Sequence, residues 1–340
     1  MEKKKIRFGV IGCGHIGKRH ATMVLNNPEC ELISLCDNRS AAETKTEEFN
    51  VPYFKELEQM LKQGPEFDVL CVATPNGLHE AHAIQALRAG KHVVVEKPMA
   101  LTKAGCEKII YESLHQHKQV FCVMQNRYSP PSVWLKQIIS NNILGKIFMV
   151  QINCYWNRDE RYYSKNGWHG TKALDGGTLF TQFSHFIDIL FWLFGDIENI
   201  RSNIKTFNHQ GLTEFEDSGN VLFDFANGGA GVLNFSTSVW DKNLESSITI
   251  IAEKGTVKVG GQYMNEVEYC HIKDYTMPEL PPSNPPNDYG TYKGSAANHH
   301  FIFDNVVDVL SNTRPITTNA LEGLKVVEMI ERIYANKRFN

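Results

Sequence analysis

Residues 5–17 read KIRFGVIGCGHIG, an apolar run that ends in the pattern G-x-G-x-x-G. The run is rich in β-branched and aromatic residues, so it predicts a strand, and the glycines stand where that strand would turn into a helix. Gly12 permits the tight turn, Gly14 lets a pyrophosphate approach the backbone, and Gly17 lets the helix pack closely on the strand. The first N–H groups of the helix would face the phosphates with a partial positive charge. The stretch therefore predicts a dinucleotide-binding turn.

A second apolar run, ELISLCD, ends at Asp37, twenty residues after Gly17. An acid at the end of the second strand can accept hydrogen bonds from both ribose hydroxyls of an adenosine, and it repels a 2′-phosphate. Arg39 lies two residues further on and would soften that preference. A glycine-rich turn without a ligand is the alternative, but strand, glycines, helix and acid together predict NAD as the cofactor.

The composition excludes several classes of protein. Hydrophobic residues make up 42% of the 340 residues, which suffices for two domains with sizeable cores. The net charge of −3 gives no basic footprint for nucleic acid. The basic start MEKKK precedes a run of only strand length, and the apolar run Phe186–Phe194 is interrupted by Asp188 and too short to span a bilayer. We therefore expect a cytoplasmic protein that binds neither nucleic acid nor membrane.

The cysteine and histidine patterns give no metal site. Eight cysteines are scattered without a C-x-x-C pair, which is typical of reduced thiols in a cytoplasmic protein. His185 and Asp188 lack a further spaced pair of ligands. His299 and His300 are adjacent, so on a helix they would point to different sides. We expect no metal.

The order of elements predicts two domains. The first 125 residues alternate strands (6–11, 31–36, 68–73, 92–95, 119–123) with helices (16–26, 40–49, 55–63, 77–89, 103–117). This alternation is typical of a doubly wound parallel sheet. The later part is rich in strands (147–155, 197–207, 219–226, 230–239, 246–252, 256–260, 266–272), with helices at 132–141, 178–194, 298–311 and 319–336 and a loop at 276–297. We predict an α/β protein, with a nucleotide-binding domain at 1–127 and an α+β domain with a large, mainly antiparallel open sheet at 128–340. The C-terminal helix is in a position to pack back on the first domain.

The fourth predicted strand ends in HVVVEKP, residues 92–98. Pro98 biases Lys97 toward an extended turn at the carboxyl edge of the sheet, where ligands bind in such folds. Lys97 there would hydrogen-bond a substrate hydroxyl or the nicotinamide ribose, and a solvated lysine is the alternative. After the third strand, Thr74 and Asn76 offer polar groups; we expect Asn76 to cap the helix 77–89, with cofactor contact as a by-product. Gln125 and Arg127 follow the fifth strand at the same edge.

A second group of polar residues lies in DGGTLFTQFSHFID, residues 175–188. On the predicted helix, Thr181, His185 and Asp188 form one polar stripe on an otherwise apolar surface. A buried histidine in that stripe could act as a general base near neutral pH. The helix alone favours the other interpretation, a core histidine satisfied by Asp188.

These motifs together resemble those of the Gfo/Idh/MocA oxidoreductases. The resemblance rests on G-x-G-x-x-G with Asp37, T-P-N-x-x-H at 74–79, E-K-P at 96–98 and G-G-x7-H-x-x-D at 176–188. It implies a Rossmann domain, a second domain whose open sheet serves oligomerisation, and hydride transfer between a sugar or cyclitol carbon and a nicotinamide. It assigns Lys97 and His185 to catalysis. Four residues before the histidine the family often has Asp, where this chain has Thr181.

Three further segments resemble one branch of that family. They are YWNR at 155–158, YY at 162–163 and GWHGTKALDGG at 167–177. The branch oxidises the C3 hydroxyl of a UDP-N-acetylhexosamine or its uronic acid, ahead of transamination in cell-surface polysaccharide synthesis. Branch members often have Arg where this chain has His169. Arg158, Lys165 and Lys172 would meet a diphosphate or form part of a solvated face.

We therefore predict a functional role for the following residues. The predicted cofactor-binding residues are Gly12, Gly14, His15, Ile16, Gly17, Asp37, Arg39, Thr74, Asn76, His79, Glu96, Lys97 and Gln125. The predicted substrate-binding residues are Arg127, Tyr155, Arg158, Trp168, Thr181 and Gln182. We expect an NAD-dependent dehydrogenase acting on a sugar or sugar nucleotide, assembled as a homodimer or homotetramer. A free-sugar or inositol dehydrogenase and a non-catalytic NAD-binding regulator are the alternatives.

Overall fold

The structure is a computed structural model that describes residues 5–163, 167–290 and 292–337. These residues form two compact units. The first unit combines Met1–Met124 with His299–Val327, and the second combines Gln125–Asn298 with Glu328–Asn340.

A six-stranded parallel sheet forms the centre of the first unit. Its strands are β1 (Ile6–Ile11), β2 (Cys30–Cys36), β3 (Tyr53–Phe54), β4 (Val69–Val72), β5 (His92–Val95) and β6 (Val120–Cys122). They lie in the order β3-β2-β1-β4-β5-β6. The chain therefore adds β2 and β3 on one side of β1 and then returns to add β4, β5 and β6 on the other side. The helices between them are α1 (His15–Asn26), α2 (Ala41–Thr44), α3 (Leu57–Gln63), α4 (His79–Arg88) and α5 (Lys103–His115). Ligands of such sheets bind at the carboxyl ends of the strands, where the strand order changes direction between β1 and β4.

One predicted helix of this unit is wrong. Residues 40–49 form only the four-residue α2, which ends at Lys45 in the left-handed conformation (φ 54°), followed by a 3₁₀ turn at Glu47–Phe49. The short edge strand β3 follows, and the sequence analysis missed it. Its two residues pair with the end of β2, which places the backbone N–H of Asp37 on the carbonyl of Phe54 at 3.1 Å.

A seven-stranded sheet forms the centre of the second unit. Its strands are β7 (Ile147–Tyr155), β8 (Ile197–Lys205), β9 (Ser218–Phe225), β10 (Ala230–Ser236), β11 (Glu245–Ala252), β12 (Gly255–Gly260) and β13 (Glu266–Ile272). The order is β13-β12-β11-β7-β10-β9-β8, and every neighbouring pair is antiparallel except β7 with β10. The helices before β8 are α6 (Pro130–Ser140), α7 (Thr178–Thr181) and α8 (Ser184–Phe194). The predicted fold class, a doubly wound parallel sheet followed by an α+β domain with a mainly antiparallel sheet, is confirmed.

Two details of the second unit differ from the sequence analysis. The predicted helix 178–194 is interrupted at Gln182 and Phe183, so Thr181 and His185 do not share one regular helix. The predicted loop 276–297 contains a short hairpin of β14 (Pro286–Asp288) and β15 (Lys293–Ala296). Both differences depend on tertiary contacts, which local periodicity does not encode.

Two helices close the described chain, α9 (His299–Leu310) and α10 (Ala320–Ala335). In the first unit, α9 packs on β1 and α1, where Phe303 contacts the rings of Phe8 and His20 at centroid distances of 5.7 and 5.3 Å. The eight cysteines are all at described positions and carry free thiols. Among the described residues, every helix is too short or too polar to cross a membrane.

Candidate active site

The glycines after β1 shape the cofactor turn of the first unit. Gly12 has a φ of +88°, and a Cβ there would lie 2.5 Å from the carbonyl oxygen of Ala73. A Cβ at Gly17 would overlap the carbonyl oxygen of Gly12, so the third glycine permits α1 to approach β1. At Gly14, in contrast, a Cβ would meet no atom within 4 Å, which leaves the start of α1 open to a ligand. This geometry fits a dinucleotide pyrophosphate at the N-terminus of α1. The predicted residues His15 and Ile16 lie in the first turn of that helix, exposed and half-buried respectively.

Asp37 lies at the end of β2, as predicted, with its carboxylate buried beside the turn. The backbone N–H of Cys13 donates to Oδ2 at 2.8 Å, and the guanidinium of Arg39 donates to both oxygens at 3.0 Å. Burial alone would raise the pKa of Asp37, but these hydrogen bonds outweigh it and hold the pKa below its ordinary value. Asp37 is therefore an anion at neutral pH. Asp37 can accept hydrogen bonds from ribose hydroxyls either if these replace the donors of the half-exposed Arg39 or if they bind beside them.

The turn after β4 holds the predicted residues Thr74, Asn76 and His79. The N-cap position of α4 is Leu78, with no side-chain hydrogen bond, so the expectation that Asn76 caps this helix is wrong. Asn76 lies instead in a 3₁₀ turn, Asn76–Leu78, that precedes α4. Thr74 Oγ1 lies 3.0 Å from Nδ1 of His82. His79 is buried, with its two ring nitrogens on the carbonyl oxygens of Pro98 (2.7 Å) and Thr74 (2.8 Å).

Glu96 and Lys97 follow β5 at the carboxyl edge of the same sheet. The Glu96 carboxylate is buried, and its Oε1 lies 2.9 Å from Nε2 of His20. Its Oε2 accepts the backbone N–H of Lys97 at 3.2 Å. Lys97 itself is half-buried rather than exposed, which argues against the solvated-lysine alternative.

His185 lies in the first turn of α8 in the second unit and is 5% exposed. Its Nε2 lies 3.2 Å from the amide nitrogen of Gln125. Because an amide nitrogen can only donate, this contact gives Nε2 a lone pair, as in a neutral imidazole that can accept a proton. Gln125, predicted at the cofactor, thus lies beside the candidate base.

Asp188 has a partner that the sequence analysis did not foresee. Its carboxylate forms a buried ion pair with Arg127, whose Nε lies 3.1 and 2.9 Å from the two oxygens and whose Nη2 lies 2.5 Å from Oδ1. The carboxylate that the sequence analysis offered to His185 is therefore bound by Arg127. The predicted substrate contact of Arg127 would have to compete with a fully buried salt bridge.

Thr181, which replaces the aspartate common in the family, is itself bonded to a carboxylate. Its hydroxyl contacts the side chain of Asp175 and lies 3.0 Å from the carbonyl oxygen of that residue. The other oxygen of Asp175 accepts the N–H of Gly170 at 2.8 Å. Asp175 therefore places a buried negative charge next to position 181 from the preceding loop.

Arg158 is buried at 2% exposure, so its interpretation as part of a solvated face is wrong. Its guanidinium donates to Gln182 Oε1 (2.7 Å), Asn157 O (2.5 Å), Asn243 Oδ1 (3.1 Å) and Lys293 O (3.2 Å). Three aromatic rings cover it, with centroids 4.8–5.2 Å away: Trp156, Tyr162 and Tyr292. Lys172 is exposed, and Lys165 lies outside the described residues.

The other predicted substrate contacts are spread over the second unit. Gln182 accepts from Arg158 and donates to the Tyr162 hydroxyl at 2.8 Å. The ring of Trp168 stacks on His169 at a centroid distance of 3.9 Å. Tyr155 lies elsewhere, on the open face of the seven-stranded sheet, where it lines a groove of about 220 Å³.

The sequence analysis missed two buried histidines. His20 and His299 both approach the Glu96 carboxylate, at 2.9 and 3.7 Å. His20 follows Gly17 by three residues and so shares its inward face of α1. That spacing is a usable signal for His20. Nothing local marks His299, which approaches Glu96 only because α9 packs on α1 and β1 within the first unit.

Comparisons with known proteins bear on the identity of the chain. Residues 6–124 match the oxidoreductase family with an NAD-binding Rossmann fold, and residues 133–258 match the GFO/IDH/MocA C-terminal domain. The chain is similar to the WlbA dehydrogenase of Bordetella pertussis, solved with NADH and UDP-GlcNAcA (32% identity, TM-score 0.87, 98% of this chain and 96% of that chain). It is similar to the WlbA dehydrogenase of Chromobacterium violaceum with the same two ligands (31%, 0.87, 99% and 94%).

A curated relative extends the comparison to another sugar enzyme. The glucose-6-phosphate 3-dehydrogenase of Bacillus subtilis is 26% identical over 83% of this chain and 83% of its own length. The Rossmann geometry, the buried Asp37 and these relatives agree on the cofactor, NAD. The chain belongs to the Gfo/Idh/MocA family and is an NAD-dependent sugar oxidoreductase.

Proposed function

We propose that this enzyme oxidises the C3 hydroxyl of a UDP-N-acetylhexosamine or its uronic acid. Two solved relatives at 31–32% identity over nearly the whole chain are bound to UDP-GlcNAcA. A third relative is named for oxidation at carbon 3 of a sugar phosphate. A 3-keto sugar nucleotide is a suitable substrate for an aminotransferase, so transamination would be the next reaction.

The observation that carries the proposal is the surroundings of Gln182. The segments 155–158, 162–163 and 167–177, which resemble the nucleotide-sugar branch, build these surroundings. Arg158 donates to the amide oxygen of Gln182 at 2.7 Å, and the amide nitrogen of Gln182 donates to the Tyr162 hydroxyl at 2.8 Å. Asp175 binds Thr181. The branch-like segments therefore shape the chain immediately before the candidate base, where substrate selectivity would be exerted.

The proposed chemistry uses two side chains. His185, in its neutral form beside Gln125, takes the proton of the C3 hydroxyl. Lys97 hydrogen-bonds the same oxygen and stabilises its developing negative charge. NAD supplies the hydride acceptor when it is bound. The C3–H bonding pair leaves as hydride, the O–H proton goes to His185, and a C3 carbonyl remains.

The test is a comparison of substrates under one condition, with NADH formation followed at 340 nm. UDP-GlcNAcA and UDP-GlcNAc are compared with glucose 6-phosphate, glucose and myo-inositol. We expect the UDP-sugars to have the highest kcat/KM. A higher kcat/KM for a free sugar, inositol or the sugar phosphate would overturn the proposed substrate class while leaving the family assignment intact.

The position of oxidation has its own test. With UDP-sugar deuterated at C3, hydride transfer from that carbon places deuterium on the nicotinamide. Transfer of unlabelled hydride, with the deuterium retained in the product, would show that another carbon reacts.

A further inference from the structure

We infer that three buried histidines, His20, His79 and His299, are positioning residues that fix the turn Glu96–Pro98 and thereby hold Lys97 in place. The inference rests on the proposed function in one respect, because it takes Lys97 as the residue that meets the substrate oxygen. All the residues concerned belong to the first unit.

One side of the turn is held through the Glu96 carboxylate. His20 from α1 is fully buried and binds Oε1 at 2.9 Å, and His299 from α9 places its Nε2 3.7 Å from the same oxygen. Burial would raise the pKa of Glu96, but the hydrogen bond from His20 and the nearby charges outweigh it and hold the pKa at about 2. Glu96 is therefore an anion, and its other oxygen accepts the N–H of Lys97.

The contact between His20 and Glu96 is a hydrogen bond by its length. A distance of 2.9 Å between nitrogen and oxygen is typical of N–H···O. Burial lowers the pKa of His299 to about 3, so its ring is neutral and adds no second charge. The cluster therefore consists of the Glu96 carboxylate, which a donor from α1 fixes, and the neutral His299 ring from α9, which lies beside it.

The other side of the turn is held through a carbonyl group. His79 Nδ1 lies 2.7 Å from the carbonyl oxygen of Pro98, and its Nε2 lies 2.8 Å from that of Thr74. Both carbonyls can only accept, and burial lowers the pKa of His79, so its neutral ring has one N–H to donate. We take the shorter contact, to Pro98, as the hydrogen bond, with the ring placed between the turns after β5 and β4.

Lys97 thus has an anchored neighbour on each side. Its own backbone N–H is bound to Glu96, and the following residue is bound to His79. Placing a long lysine side chain for one contact costs conformational entropy, both of the side chain and of its backbone. Because the backbone of Lys97 is already fixed, the backbone part of this cost does not arise at the contact. A displacement of about 1 Å in such a group can cost roughly 100-fold in rate.

The enzymatic test uses pairs of variants that differ in one donor. In His20→Gln the amide nitrogen can replace Nε2, whereas His20→Leu removes the donor. In His79→Asn the amide can replace Nδ1 toward Pro98, whereas in His79→Gln it reaches only toward Thr74. We expect kcat to fall by about 10–100-fold in H20L and H79Q, with less loss in H20Q and H79N.

The control is a histidine in β5, the strand that leads into the turn. His92 begins β5 at its opposite end and accepts the N–H of Gln119 at 3.0 Å. His92→Leu removes a comparable hydrogen bond and should reduce stability without changing kcat. Equal losses of kcat in both members of each pair would overturn the inference, as would a loss in H92L.

A second readout needs no activity at all. In the protein with reductively ¹³C-methylated lysines, the Lys97 signal, assigned by its absence in Lys97→Arg, reports the position of the side chain. We expect this signal to shift in H20L, H299L and H79Q but not in H92L. Unchanged shifts would refute the inference even if UDP-sugars prove to be substrates, and a metal in stoichiometric amount, lost in H20L, would replace it with a metal site.

Discussion

At the scale of single residues, the environment of His185 decides whether it can accept a proton. Arg127 neutralises Asp188 in a buried pair, and the amide of Gln125 donates toward Nε2. The nitrogen that faces this amide therefore carries a lone pair and can take up a proton. This arrangement suits a base that works near neutral pH.

The first prediction concerns this base. His185→Asn should lower turnover by roughly 10²–10⁴-fold, because an amide cannot take the hydroxyl proton. NADH binding, followed by fluorescence titration, should stay close to that of the unmodified protein, since the cofactor turn belongs to another unit of the chain. Near-full activity of H185N would show that another group removes the proton.

The second prediction concerns cofactor choice. Asp37→Ser should narrow the ratio of NAD to NADP affinity, because it removes the anion that repels a 2′-phosphate and releases Arg39. The double variant Asp37→Ser with Arg39→Ala separates the two effects, since it lacks the cation that would bind the phosphate. Isothermal titration with both cofactors measures the ratio. A D37S protein that keeps the original ratio would contradict the assignment of Asp37.

At the scale of elements, contacts from distant parts of the chain fix the position of α7, the short helix before the one that carries His185. The Tyr334 hydroxyl of α10 accepts the N–H of Leu179 at 3.1 Å and donates to Glu216 at 2.6 Å. A Cβ at Gly177 would lie 2.5 Å from the same hydroxyl, so the turn before α7 needs glycine for close approach as well as for its φ of +140°. These contacts place α7, and through it the interruption at Gln182.

The third prediction concerns the loop between β8 and β9. Asp217 Oδ2 accepts three successive backbone N–H groups, those of Phe207, Asn208 and His209, at 2.7–3.0 Å. Asp217→Asn should lower the free energy of unfolding by about 1–3 kcal/mol at neutral pH, because the donors lose a charged acceptor. Urea unfolding measures the difference.

The stabilisation that Asp217 provides depends on pH, because only its ionised carboxylate accepts these hydrogen bonds fully. Burial would raise the pKa of Asp217, but the backbone hydrogen bonds outweigh it and hold the pKa below its ordinary value. The stabilisation is therefore fully present above about pH 4 and is lost as the pH falls toward the lowered pKa of the folded state. The difference between D217N and the unmodified protein should shrink over that range. Asp224→Asn, on the partly exposed face of β9, the strand that follows Asp217, is the control and should change the free energy of unfolding little.

How far the sequence predicts the fold depends on where the determining contacts lie. Five of the six strands of the first sheet and the turn at Gly12–Gly17 follow from local pattern, because β-branched runs and glycines act within a few residues. The pair of Arg127 with Asp188 joins residues 61 positions apart, and the interruption at Gln182 depends on Arg158 and Tyr162. Local periodicity cannot encode such contacts, so it predicted a continuous helix and did not reveal Arg127 as a partner of Asp188.

At the scale of the whole molecule, one face of the seven-stranded sheet stands out. Residues of α8 cover the other face, where Phe194 packs on Phe225 at a centroid distance of 5.1 Å. On the open face, four asparagines stand side by side across adjacent strands in register: Asn203, Asn220, Asn234 and Asn153. The amides of three of them bond in series, with Asn220 to Asn234 and Asn234 to Asn153 both at 2.9 Å. Amides that bond to one another in this way lower the cost in unpaired polar groups when another sheet covers the face.

The fourth prediction is that this face forms the contact in a homodimer or homotetramer. Beside the asparagine row it exposes large apolar side chains, with Leu222 54% and Met149 50% accessible, which is unusual for a face left in water. Light scattering on the eluting protein at micromolar concentration should give a dimer or tetramer, and Leu222→Arg should shift it to a smaller species because the charge would be buried unpaired. Leu321→Arg is the matched control, since Leu321 is 65% exposed on α10 and should tolerate the charge without a change in mass. A monomer in the unmodified protein would contradict assembly altogether. An oligomer unaffected by L222R would place the interface elsewhere, and the apolar side chains of the open face would then need another occupant.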